Sequence, residues 1–93
     1  MPVYIYLMED KNTLNPEIVV RHIDHLRFLD QTGSLVLCGP FTDYPGGMVV
    51  LRTADHLEAL RIAQSDPFIA EGYKTFQLRT LEVADASNAY LGT

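Results

Sequence analysis

The chain has one cysteine and no tryptophan, and its seven lysines and arginines are outnumbered by twelve aspartates and glutamates. One cysteine cannot build an intrachain disulfide framework, so the fold must rest on packing, and Cys38 fits a reducing cytoplasm. Free cysteine is usually a small buried residue, and Cys38 is expected in that role on a strand. The net charge of −5 argues against nucleic acid, which calls for a basic patch, and weakly against an anionic membrane surface. Apolar runs are too short to span a bilayer. The opening M-P-V-Y-I-Y-L-M-E-D has neither a basic segment nor a small-residue cleavage site, and it reads as a strand and not as a signal peptide.

What the chain does have is apolar content, 47% of 93 residues, in alternating and helical patterns. Ninety-three residues make one domain, close to the smallest size with a self-sufficient core. Residues 2–8 form a first strand, with Val3, Ile5 and Leu7 on one face and Tyr4, Tyr6 and Met8 on the other. Asn15 caps a helix that begins at Pro16, a residue whose missing N–H costs nothing at that position. Its inward stripe is Ile18, Val19, His22, Ile23, His25, Leu26 and Leu29, and Gly33 closes it. Residues 35–38 form a second strand, and residues 39–47 an irregular stretch carrying Phe41 and Tyr44. A third strand follows over residues 48–52.

Asp55 and Glu58 then open a second helix, with Leu57, Leu60 and Ala63 inward and Ala59 at the edge. That helix stops near Ser65 because Pro67 drives Asp66 out of helical geometry. Residues 68–72 are a link to a long fourth strand over residues 73–83, and residues 84–93 form a tail, ordered if Tyr90 and Leu91 dock. The domain thus spans 1–83.

The order is β-α-β-β-α-β, a ferredoxin-like α+β fold with a four-stranded antiparallel sheet and two helices on one face. Half of the opposite face is apolar, which leads to the expectation of a homodimer closed through the sheets.

Chemistry centres on the first helix. His22 and His25 share a face, but no H-E-x-x-H motif, cysteine pair or acidic cluster supplies further ligands, so neither a metal nor a cofactor is expected. His56, next to the second helix cap, is expected in solvent. Two helices side by side on one sheet bring His22 within reach of Asp66. A carboxylate on one ring nitrogen fixes the tautomer and makes the other nitrogen a general base or acid. In the alternative, Asp66 caps local backbone N–H groups and His22 is a satisfied core residue.

The ordered set H-x-x-H-L-x-x-L, G-x-L-V-L-x-G-P, G-G and D-P-F with a downstream glycine resembles the YCII-related (YciI-like) proteins. It rests on His22, Leu26, Gly33, Gly39, Pro40, Gly47, Asp66, Pro67, Phe68 and Gly72, across residues 2–83. The resemblance implies the ferredoxin-like fold, a homodimer and an active site with a His–Asp pair at His22 and Asp66. It includes dehydrochlorinase-like members, on a fold shared with muconolactone isomerases. The sequence departs from the pattern at Val19, where members often carry arginine; Arg21 lies on a different helical face.

Three functions stay open. The first is a cofactor-free lyase or isomerase, with His22 and Asp66 moving a proton on a small cyclic or aromatic substrate. Gly39, Pro40, Phe41, Tyr44 and Phe68 would wall its pocket. The second is a non-catalytic ligand-binding or regulatory module using the same pocket, and the third is a cofactor-independent oxygenase.

Overall fold

The computed structural model describes residues 2–92; Met1 and Thr93, the outer ends of the expected 1–83 domain and 84–93 tail, lie outside the described residues. Strand β1 (Pro2–Asp10) is followed by helix α1 (Pro16–Gln31), strands β2 (Leu35–Pro40) and β3 (Gly47–Leu51) and helix α2 (His56–Ser65). A short helix α3 (Pro67–Ala70) and strand β4 (Lys74–Glu82) complete the domain. The four strands form one antiparallel sheet in the order β2-β3-β1-β4, the ferredoxin-like arrangement.

Local chemistry explains the helix boundaries. The Asn15 side chain accepts from the Ile18 N–H at 2.9 Å, with Pro16 in the first turn. Gly33, at φ +81°, lets the chain turn from α1 into β2. The Asp55 carboxylate accepts from the Glu58 N–H at 2.9 Å, while Glu58 reaches back to the Ala54 N–H. Helix α2 ends at Ser65 because Asp66, in front of Pro67, takes extended geometry (φ −61°, ψ 123°).

Register sorts the side chains into two layers. Tyr4, Tyr6 and Met8 of β1 lie opposite Leu51, Val49 and Gly47 of β3, and opposite Thr80, Leu78 and Phe76 of β4, on the face beneath the helices. Tyr6, Leu51 and Val49 are fully buried there, and α1 and α2 add Ile18, Leu29, Ala59 and Ala63 to one continuous core. The outer face carries Val3, Ile5 and Leu7 of β1, in line with Val50, Leu37 and Leu81 of the neighbouring strands. Leu37 and Leu81 are 51% and 49% exposed.

Several expectations need correction. Ile23 and Leu57 point largely to solvent, because α1 and α2 each bury a stripe narrower than their apolar periodicity; α2 meets the core through Ala59 and Ala63. The stretch 39–47 is irregular only over residues 41–46. Gly39 and Pro40 end β2, Gly47 starts β3, and Phe41 N–H donates to the Gly46 carbonyl at 2.9 Å to close the hairpin. The link 68–72 holds α3, and Asp66 caps it by accepting from the Phe68 N–H. Cys38 is exposed: β2 is an edge strand, and Cys38 borders the open space beneath α1 and is not packed against it. The tail turns into a short helix (Ala86–Leu91) through a reciprocal cap between Asp85 and Asn88, with Tyr90 and Leu91 still exposed, so local bonds and not docking set its shape.

Gly46 adopts φ +122°, and a Cβ there would run into the Met8 carbonyl on the neighbouring strand. Gly46→Ala is expected to cost on the order of 3 kcal/mol through left-handed strain and overpacking, read as a lower urea midpoint with an unchanged slope.

Candidate functional site

Asp66 is the buried acidic residue at the centre of the helical layer, with no solvent exposure. Its position follows from local chemistry: Pro67 ends α2 there, and the carboxylate stays at the start of α3 because the Phe68 N–H donates to Oδ1 at 3.0 Å. Two further donors come from distant parts of the chain. His22 Nδ1, from the middle of α1, bonds the same Oδ1 at 2.8 Å, and the Tyr6 hydroxyl of β1 donates to Oδ2 at 2.8 Å. Local capping and the histidine contact, set out above as alternatives for Asp66, are therefore both present.

Burial alone pushes the Asp66 carboxyl up. The His22 hydrogen bond and charge, the Tyr6 hydroxyl and the Phe68 N–H outweigh it and hold the group below the usual carboxylate range. Tyr6 moves the opposite way: burial first, then the Asp66 charge and their hydrogen bond, raise the phenol far above its ordinary value. An ionised carboxylate only accepts, so Nδ1 of His22 is the donor, and Nε2 is the ring nitrogen that Asp66 does not engage. The ring is also held flat. It stacks on Phe68 with centroids 3.8 Å apart and planes 11° from parallel.

His22 keeps 12% side-chain exposure, and it borders a cavity of about 350 Å³ between α1 and the β2–β3 end of the sheet. Val19 and Leu26 of α1, Met8 and Val49 of the sheet, Gly39 and Pro40 of β2 and Phe68 supply most of the wall. This volume lies in the range of small-molecule pockets and suits a single-ring compound.

The structure thus brings His22, Asp66, Gly39, Pro40 and Phe68 to one place. Phe41 and Tyr44 sit apart: both are exposed and neither lines the cavity of the single chain. His25, one turn along α1, is half-buried with no hydrogen-bond partner on Nε2, and burial lowers its pKa. His56 is exposed, its ring edge-on to Tyr4. Among the described residues no three His, Cys, Asp or Glu side chains gather as metal ligands.

Two residues escaped the sequence reading. Tyr6 completes the carboxylate's shell, and the available signal was a tyrosine on the core face of a central strand, where a hydroxyl needs an acceptor. Lys74 also lines the cavity, and the signal was its parity with Phe76 and Leu78 on the inward face of β4.

The YCII-related domain family matches residues 1–82. The chain belongs to the YCII-related family. It is 36% identical over 72 residues to the uncharacterized protein YjpA of Bacillus subtilis (strain 168), a match that covers 75% of this chain and 85% of YjpA. Its fold superposes with a TM-score of 0.63 on 5-chloro-2-hydroxyhydroquinone dehydrochlorinase of Burkholderia phenoliruptrix AC1100, solved with 2,5-dihydroxybenzoquinone. That superposition covers 91% of this YCII-related chain and 97% of the dehydrochlorinase at 15% identity, a likeness of fold.

Tyr6→Phe removes one of three donors from a buried carboxylate and is expected to cost about 1–3 kcal/mol at neutral pH. Because the folded pKa of Asp66 is depressed, its contribution is complete above the ordinary carboxylate value and is lost as pH falls through the folded one. The gap between wild type and variant, followed by urea unfolding against pH, narrows over that acidic window.

Proposed function

We propose that this YCII-related protein is a cofactor-free acid–base catalyst of the lyase or isomerase type, acting on a small cyclic or aromatic compound. The observation that supports it most is the 2.8 Å bond from His22 Nδ1 to a fully buried Asp66, at the wall of an apolar cavity. In this reading Nε2 of His22 takes a proton from an acidic ring carbon. The C–H electron pair becomes a new double bond and a leaving group such as chloride departs, or the proton returns at another carbon in an isomerisation. Asp66 stabilises the imidazolium formed, and Phe68 keeps the ring in place. General acid–base assistance is worth about 10²–10⁴-fold, enough where the carbon is already acidic. The dehydrochlorinase that shares the fold makes elimination of chloride the first reaction to test.

A second reading, a non-catalytic ligand-binding module, draws on the poverty of the wall. Beyond His22, its titratable side chains are Cys38 and Lys74, and Val19 stands where family members often have arginine.

We also propose that a second copy covers the outer sheet face, as the apolar row Val3, Ile5, Leu7, Leu37 and Leu81 calls for burial. Among the described residues no helix is long and apolar enough to cross a membrane, and a lone free cysteine suits the cytoplasm.

With 5-chloro-2-hydroxyhydroquinone, wild type is expected to release chloride and His22→Ala to lose at least about 100-fold of that rate while its circular dichroism is unchanged. Equal rates remove His22 from the chemistry; saturable binding without chloride release by wild type favours the binding module. In sedimentation at micromolar concentration the chain is expected to run as a dimer and Ile5→Glu as a monomer. A monomeric wild type refutes the paired sheets.

A further inference from the structure

Lys74 opens β4 on its inward face, in register with Asp10 and in line with Phe76 and Leu78. Strand alternation therefore turns a long cationic side chain towards the apolar layer. The side chain is 10% exposed. An ammonium so far from water needs compensation, and it has two partners. One is built in: Nζ lies 5.0 Å from the centroid of the Phe68 ring, the same ring that stacks on His22. The other is exchangeable: Asp10 accepts from Nζ at 2.8 Å, but its own side chain is 53% exposed, so water can take it back at little cost.

The surroundings give this cation a direction. Lys74 and Leu14 line both the apolar cavity beside His22 and a polar crevice formed by residues 10–13. Lys74 thus stands where the cavity meets the solvated loop, with hydrocarbon on one side and Asp10 on the other. Its ammonium and the imidazole of His22 both lie against the ring of Phe68. In a chain of net charge −5, an anionic ligand has no long-range attraction to rely on and needs such a local contact.

Resting on the reading of this cavity as a small-molecule site, we propose that Lys74 is its specificity residue. The substrate class it selects is a single-ring compound bearing one anionic oxygen, carboxylate or phenolate. That oxygen replaces Asp10 on the ammonium. The ring enters the apolar cavity along Phe68, and its carbons come up to Nε2 of His22. Asp10 holds the position that the anion takes: it keeps Lys74 paired until an anion arrives, then returns to water.

The test is binding, measured calorimetrically at low salt with two matched pairs, benzoate against benzamide and 4-nitrophenolate against 4-nitroanisole. Wild type is expected to prefer the anion in at least one pair by about tenfold, the scale of one charge-assisted hydrogen bond. The pair that shows it identifies carboxylate or phenolate as the better headgroup. Lys74→Met keeps the aliphatic stem and is expected to bring that ratio to about one, while Lys74→Arg preserves it. Asp10→Asn removes the internal competitor and is expected to tighten the anion several-fold with no change for the neutral partner. Equal affinities in wild type, no binding of either anion, or a preference that survives Lys74→Met overturns the proposal. His22→Ala separates the two readings: an anion preference retained there and in a wild type without turnover removes catalysis and leaves Lys74 as the selector.

Discussion

A carboxylate taken wholly out of water costs several kcal/mol unless donors surround it, and in this protein three elements are committed to that task. The Tyr6 hydroxyl comes from a central strand, His22 Nδ1 from the longest helix and the Phe68 N–H from the turn that Asp66 itself caps. Satisfying them together fixes the height of α1 above the sheet and the point at which α3 begins. The same three bonds determine the tautomer and the plane of His22. Stability and the aim of Nε2 are thus consequences of one arrangement.

The packing of the two long helices differs in a way that creates the site. Helix α2 approaches the sheet through Ala59 and Ala63, both without exposure, and small side chains allow a close fit with no space left over. Helix α1 presents Val19, His22 and Leu26 to the β2–β3 end of the sheet, around Cys38, Pro40 and Val49. The gap between them is the cavity. Its wall is mostly hydrocarbon, and the polar side chains that border it are few.

Much of this was legible locally. Asn15–Pro16, Asp55–Glu58 and Asp66–Pro67 mark helix ends through bonds that span three residues or fewer, and the alternation of Val3 to Met8 assigns both faces of β1. The side-by-side helices brought His22 within reach of Asp66, and the family resemblance implied an active site at that pair. What periodicity could not supply was the width of each buried stripe. Ile23 and Leu57 carry the right spacing, yet the elements beside them leave them in solvent. Cys38 failed for a related reason, since burial of a strand residue depends on what lies across from it, and β2 is an edge. Tyr6 was placed with Tyr4 and Met8 by parity and Lys74 was not singled out, because the partners of both belong to other elements.

By itself, then, the sequence determined the order of helices and strands, their caps, the two-faced sheet and membership of the YCII-related family. The elements, caps and faces follow from periods of 3.6 and 2 and from steric rules between near neighbours, and the family from its ordered set of motifs. Only the tertiary structure decided that Asp66 meets Tyr6 across 60 positions and His22 across 44, and that Lys74 leans on the ring which supports the imidazole. Such contacts depend on how two helices and a twisted sheet settle against one another, and no local pattern encodes that distance.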